Sequence, residues 1–516
     1  MKERMFHKNR FTVIGTALVV SALLLTGHMI HPEPSFGITT REEEALSREF
    51  MQMAEKQFEF IKDPGIVGYV EGIGRRLVNS LDAQPFTYHF YVIKKDDFNA
   101  FASPAGHIFI FSGLLKELDS EEELAGILGH EIGHSVCRHI SQSIDRSKKS
   151  QFASLAGIAA GILLGIGGAG ELSQAVLTGT ISATQSMSLA YSREAEKQAD
   201  QKAAEFLTKA GYNAAGFCDA LEKIQAKDWF GSKIPAYLST HPPAQDRVAW
   251  IHNWMESHHA AGPRKILPDN KMFQLVKTRV IGLYDDTDQA ERRFENTLRR
   301  EPGNYLAHYG YGLVLTRNGR RGRAVEHIRA ALEGDALNPY LLTDLGKAYY
   351  HDGQYQNALQ MLEGIDRSTS RDPETLFYLG SCRMKLDHLE SALQTFEQLM
   401  SLKGDAPQPP PASENAHQKS KQKKETARDY DRPVQPPFYT EALFAVGEIY
   451  HKQGRQGESH YYLGRYYFDK KQMKTAIFHL QQAMDLIADP DRKKDIRNML
   501  STAELPSGNR QHLRER

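Results

Sequence analysis

The sequence predicts a mainly α chain of the α+β kind, with a small sheet in its first half and a helical solenoid in its second. Three observations carry this. After about Lys271, small and large residues recur every 34 positions. Two stretches, 86–93 and 107–113, alternate aromatic and β-branched residues as strands do. Between and around them, apolar residues fall at helical spacing. At 516 residues the chain is too long for one core, so two or three domains are expected.

The ends and the composition come first. MKERMFHKNR is basic, and FTVIGTALVVSALLLTG follows without a charge. This pattern, within residues 1–30, reads as an export signal, cleaved or kept as an anchor. The apolar run is shorter than the roughly 20 residues of a full membrane span. Lys plus Arg and Asp plus Glu both number 64, so no overall field points to nucleic acid. Cys137, Cys218 and Cys382 are an odd set in separate segments, which argues against a disulfide framework. Each reads as a small buried apolar residue.

Residues 40–262 show a mixed pattern. A first helix runs through REEEALSREFMQMAEKQFEF. NAFASPAG, 99–106, supplies turn chemistry between the two strands through Pro104 and Gly106. A helix then opens at Ser120, with Glu123 completing a capping box. It continues through Leu124, Ile127, Leu128, Ile132 and Val136. Residues 152–170 carry no charge and read as a flap or a packed Gly/Ala-rich helical pair, with a membrane span as the alternative. AYSREAEKQADQKAAEFLTKAG reads as a helix ending at Gly211.

In the second half Ala290, Ala324, Ala358 and Ala392 lie 34 apart. Gly312, Gly346 and Gly380 keep the same interval, and Phe294, Ile328, Leu362 and Phe396 follow the alanines by four. Small residues are needed where two helices touch, and large ones where repeats stack. This is the tetratricopeptide pattern, expected over 271–400 and again over 438–505, where Gly447, Gly464, Ala476 and Leu480 recur. The intervening 401–437, rich in Pro, Lys and polar residues, cannot bury a core and reads as a disordered insert.

The chemistry lies in LAGILGHEIGHSVCRHI. His130 and His134, four apart on a helix, aim at one point and suit one Zn²⁺ per chain. Glu131 sits beside them, able to take a proton from a metal-activated water. A catalytic zinc needs a third protein ligand. The metzincin continuation fails, because residues 137 and 140 are Cys and Ile, and His139 is one residue off that register. His139 therefore reads as an ordinary exposed residue. Glu196 is the candidate third ligand. Asp200, one turn further on, is placed to accept the free N–H of a zinc-bound histidine, and Glu194 is expected in solvent. His241, before Pro242 and Pro243, lies in a restrained extended loop. It can close on the metal or donate to a developing oxyanion.

HEIGH followed about sixty residues later by SREAEKQAD resembles the M48 metallopeptidases, and NAFASPAGHIFIFSGLL and STHPPAQDR resemble further motifs of that family. The resemblance covers roughly 41–262. It implies a zincin-like domain with His130, His134 and Glu196 as zinc ligands and Glu131 as general base. It also implies a removable fourth ligand in His241, with Arg247 nearby. Asn99, Ala100, Phe101, Ile108 and Phe109 are expected to face substrate, through an exposed strand edge that pairs with an extended peptide.

An export signal and C-terminal repeats on such a domain are similar to periplasmic envelope quality-control members. That likeness implies unfolded or misassembled envelope proteins as substrates, and the outer-membrane assembly machinery as a partner docked by the repeats. Peripheral membrane association fits the same picture. Two alternatives stand beside it: a repeat-based chaperone or adaptor with a mostly latent site, and a membrane-embedded protease suggested by 152–170.

Overall fold

Side-chain caps set where the first helices begin in the computed structural model, which describes residues 38–82, 84–147, 155–167, 191–230, 237, 241, 245–257, 270–366, 372–402 and 435–503. The expected export signal and nearly all of the 401–437 insert lie outside the described residues. Helix α1, Thr40–Gln57, opens on a capping box between Thr39 and Glu42. Helix α2, Pro64–Val78, opens at Asp63, whose carboxylate accepts from the Ile66 amide at 2.9 Å, with proline at the first helical position.

The sheet has four strands in the order β1-β2-β4-β3, where β1 is Phe60–Ile61, β2 His89–Ile93, β3 Ala100–Ser103 and β4 His107–Phe111. Strands β2 and β4 pair in parallel, and β3 runs antiparallel to β4. The segment expected as a turn thus contributes a strand. Only Pro104–Gly106 reverses the chain, with Ala105 at φ 61° and Gly106 at φ 83°.

Alternation along the strands feeds two cores. Phe101, Phe109 and Phe111 face Phe50 of α1 and Ile158, Ile162 and Ile166 of α6, Leu155–Gly167. Ile108 and Ile110 face α2 and the long helix over Glu121–Val136 on the opposite side. Each such side chain, fully buried, contributes about 1.5–3 kcal/mol. Of residues 152–170 the described part, 155–167, is the packed helix α6, the rest lying outside the described residues, and among the described residues no helix is long and apolar enough to cross a membrane.

The short α3, Ser112–Glu117, leads to α4, Glu121–Val136. Ser120 caps α4 as expected, accepting from the Glu123 amide at 3.2 Å. The Glu123 carboxylate does not close the box. It accepts instead from the Asp119 amide and from Lys223. Residues Glu121 to Ser135 of α4 are all buried, enclosed by the sheet, α7 (Arg193–Ala210) and α8 (Ala215–Phe230). Gly133, inside HEIGH, makes this enclosure possible: a Cβ there would stand 2.7 Å from the Ala199 carbonyl oxygen of α7. Helix α9, Gln245–Ser257, covers α7 and α8 through residues such as Ile251.

Helix α10, Asn270–Tyr284, sends Phe273, Val276 and Val280 into the core of α2 and α4. Its Leu275 packs with Tyr309 and Leu313, and its Ile281 with Ala290 and Phe294, in the helices that follow. After α11 (Thr287–Arg300), those helices pair as α12 (Tyr305–Arg317) with α13 (Arg321–Ala331), α14 (Pro339–His351) with α15 (Tyr355–Asp366), and α16 (Pro373–Lys385) with α17 (Leu389–Ser401). After the insert come α18 (Tyr439–Lys452), α19 (Gln456–Asp469), α20 (Met473–Leu486) and α21 (Pro490–Ala503). The glycines sit where the period requires closeness. A Cβ on Gly312, Gly346, Gly380 or Gly464 would strike Ile328, Leu362, Phe396 or Leu480 within 3 Å.

Candidate metal centre

Helix α4 supplies two imidazoles on one buried face. His130 and His134 bring their Nε2 atoms within 3.0 Å of each other. Helix α7, held close at Gly133, aims Glu196 at the same point. Its carboxylate lies 3.3 Å from His134 Nε2 and 3.5 Å from His130 Nε2. His241 enters from the segment before α9 and presents Nδ1, 2.9 Å from Glu196 Oε1 and 3.3 Å from His130 Nε2. Donor atoms of these four residues all lie within 4.8 Å of one another, and all four are buried. Two rings brace the histidines. Tyr191 stacks on His134 with centroids 3.8 Å apart, and Tyr237 stacks on His241 at 4.2 Å.

The outer contacts are specific. His130 Nδ1 lies 2.9 Å from Asp200 Oδ1, the contact expected from the sequence. Arg247 donates twice to Asp200, at 2.8 and 2.7 Å. Its Nη1 stands 2.9 Å from Glu196 Oε2 as an ion pair, in an orientation that is not a hydrogen bond. Arg247 thus holds two carboxylates of α7, Glu196 and Asp200. Burial raises the Asp200 carboxyl, but Arg247 and His130 outweigh it and leave the group lowered. Burial and Arg247 act to lower His130, and Glu196 and Asp200 more than reverse this, raising it to about 9. A ring with such a pull toward positive charge is one that two anions have prepared for a cation.

Glu131 is fully buried, and neither carboxylate oxygen makes a well-formed hydrogen bond. Burial pushes its carboxyl up, against His241, His130 and the nearby Ala102 amide. Glu131 Oε1 is 3.6 Å from His241 Nε2. The Ala102 amide belongs to β3, so the outer edge of that strand faces the centre. The inner edge is taken, since the Asn99 carbonyl accepts from the Phe111 amide.

Of the residues expected to face substrate, Ala100 and Phe101 lie on this edge strand and Asn99 just before it. Among the described residues the buried Asn99 side-chain amide has no hydrogen-bond partner. Ile108 and Phe109 do not belong with them. They sit on β4, hydrogen-bonded on both sides by β2 and β3, so no backbone group is left there to pair with a peptide. Strand β2 is likewise interior.

His139 is corrected too. It is buried, 1% exposed, and its Nδ1 lies 2.9 Å from His134 Nδ1. Arg138 just before it adopts φ 53° and turns the chain back. No glycine or proline announces that turn, which is why the sequence hid it. Glu194 is exposed, as expected. The three cysteines are free, and none joins the ligand group.

Three nitrogens and a carboxylate oxygen converging in a buried site are a zinc donor set. Beside them the buried Glu131 oxygens are acceptors left without a well-formed hydrogen bond. Fold and site together define a zinc metalloendopeptidase built on an HExxH helix and joined to tetratricopeptide repeats.

The sequence pattern of peptidase family M48 matches residues 67–255, and that of the tetratricopeptide repeat matches 285–340 and 317–373. The metalloprotease YcaL of Escherichia coli (strain K12) is 30% identical over 185 residues, 36% of this chain and 68% of the relative. The β-barrel assembly-enhancing protease of the same strain is 24% identical over 371 residues, 64% of this chain and 75% of the relative. A putative β-barrel assembly-enhancing protease of Vibrio cholerae is 29% identical over 280 residues, 54% of this chain and 57% of the relative. The chain belongs to peptidase family M48.

Proposed function

We propose that this chain is an exported endopeptidase that cuts unfolded or misassembled envelope proteins, with its repeats docking clients or the machinery that assembles outer-membrane proteins. The observation that carries the reading is the convergence of His130, His134, Glu196 and His241, with the unpaired Glu131 carboxylate beside them. The basic-then-apolar start of the chain supports export to the periplasm. Relatives named for β-barrel assembly, matching across peptidase and repeats, support the client class. In this reading the peptidase domain spans 40–262 and the repeats 271–400 and 438–505, with α10 shared between them.

When bound, zinc polarises a water and the scissile carbonyl, bringing the water's pKa to about 7. His130, His134 and Glu196 hold it. Glu131 takes the proton as the water attacks and returns it to the departing amine. The β3 edge at Ala100 to Ala102 pairs with the extended substrate backbone, so affinity comes from main-chain bonds rather than sequence. His241 would block this by offering Nδ1 to the metal as a fourth ligand, with its Nε2 3.6 Å from Glu131. Withdrawal of His241 opens the site, and from one step out it can donate to the developing oxyanion. Arg247 keeps Asp200 and Glu196 in place.

Casein cleavage by the purified full chain tests the reading. Wild type is expected to cut, His241→Ala to cut faster, and Glu131→Gln to fail while still promoting client assembly to whatever degree the repeats alone allow. If wild type and Glu131→Gln both assist clients equally and neither cuts, the protein is an adaptor.

A further inference from the structure

The two histidines of HEIGH have unlike partners behind them. His130 Nδ1 faces the anionic Asp200 at 2.9 Å. His134 Nδ1 faces a second imidazole, His139, whose Nδ1 is 2.9 Å away. His139 Nε2 in turn lies 3.1 Å from Gln198 Oε1 on α7, two residues after Glu196. We propose that His139 is a positioning residue, the middle of a neutral hydrogen-bond relay from His134 to Gln198 that fixes the ring and the tautomer of His134 for zinc. This rests on the reading of His134 as a metal ligand.

Proton arithmetic allows one arrangement. His134 gives Nε2 to the centre, so its proton must sit on Nδ1. That N–H donates to His139 Nδ1, which must then be bare. The His139 proton therefore lies on Nε2 and donates to the Gln198 carbonyl oxygen. Every donor meets an acceptor. The reversed tautomer of His139 would set two N–H groups against each other at 2.9 Å.

The fold has built this contact. Along an unbroken helix, residues five apart point about 140° away from each other, and His139 could not reach His134. Helix α4 ends at Val136, Arg138 adopts φ 53°, and a new helix, α5 (His139–Ser147), begins. The strained residue is held. Glu43 of α1 accepts from Arg138 Nε at 2.7 Å and from the Ser141 hydroxyl at 2.6 Å, and the Ile38 carbonyl accepts from Arg138 Nη2 at 2.8 Å. Buried polar partners behind metal ligands typically account for 10–100-fold in metal affinity. A neutral acceptor behind His134 also adds no further anion to a centre that Glu131, Glu196 and Asp200 already serve.

Zinc affinity, measured by chelator competition on the full chain, is the readout. His139→Leu keeps an apolar filling but removes the acceptor, and is expected to weaken zinc about 10–100-fold. His139→Asn restores an oxygen where Nδ1 stood, and is expected to bind within about threefold of wild type. Equal affinity of His139→Leu and wild type overturns the relay, as does an Asn variant as weak as the Leu one. Should the Leu variant not fold, nitrogen NMR of ¹⁵N-histidine-labelled, zinc-loaded wild type decides, the His139 signals being those lost in His139→Asn. A proton on Nε2 supports the relay, and one on Nδ1 overturns it. If wild type itself takes up no zinc, the peptidase reading fails instead.

Discussion

Two buried clusters of charge lie in this molecule, one where the peptidase core meets the repeats and one at the metal centre, and they are balanced differently. At the joint, Arg279 of α10 pairs with Asp63, the cap of α2, and with Asp344 of α14. Tyr309 donates to Asp344 at 2.6 Å, and Lys347 bridges Asp344 and Glu374, each at 2.9 Å. Each charge there has an opposite charge in contact. At the centre, Glu196 and Asp200 share one permanent cation, Arg247, and among the described residues Glu131 is ion-paired only with the His241 ring, 3.6 Å away. With Glu131 ionised, two negative charges are left over, which is the charge of one zinc ion. The joint, with two cations for three carboxylates, keeps one negative charge over, and each of its carboxylates touches a cation, whereas the centre keeps two over and has in Glu131 a carboxylate that Arg247 does not pair with.

The largest expected effect breaks the centre chemically without emptying it. Glu131→Gln keeps all four donors and removes the proton acceptor. A fall of about 10²–10⁴-fold in kcat/KM is expected, with zinc content still one per chain by metal analysis. Next, the joint is broken by Arg279→Met, which strands Asp63 and Asp344 in the interior. Breaking a buried pair in this way costs about 3–5 kcal/mol, read by urea unfolding at neutral pH. Replacing all three by apolar residues of similar size should recover much of that loss.

Zinc removal sharpens the contrast further. Chelation should lower stability by the binding term, about 2.7 kcal/mol at a free zinc concentration of 100 Kd, in wild type and Arg279→Met alike. An unequal loss would mean that the two clusters are coupled. Acid acts on the joint with a definite sign. Burial raises the Asp344 carboxyl, but Arg279 and Lys347 overcome this and hold it well below the usual range. Its stabilising share is therefore full above an ordinary carboxylate pKa and is lost as pH falls toward the folded value. Asp344→Asn should flatten the acid limb of a stability-versus-pH curve. The smallest effect is at the surface: removing the exposed Lys94–Glu59 pair, 3.0 Å apart, should move stability by under about 1 kcal/mol.

Much of this was readable along the chain because periodic signals are local. The 34-residue spacing of small and large residues foretold the contact of Gly346 with Leu362, since a repeat meets only its neighbours. The i, i+4 spacing of His130 and His134 foretold their shared face, since a helix has one geometry. Asp200 followed from the same rule on α7. Strand order was not local in this sense. Ile108 and Phe109 look as exposed in sequence as Ala100 and Phe101, and only pairing to both β2 and β3 removes them from the substrate edge.

By itself, then, the sequence determined the donor types, their helical spacing, the solenoid and the class of chemistry, because each depends on residues within a turn or a repeat of one another. The tertiary structure alone decided which strand stays open, how His139 turns back on His134, and that α10 belongs to both halves. Those outcomes depend on a left-handed Arg138, a glycine that lets α7 approach α4, and a guanidinium shared across more than 200 residues of chain separation, from Asp63 to Arg279. Contacts between segments so far apart are set by packing, which no local pattern encodes.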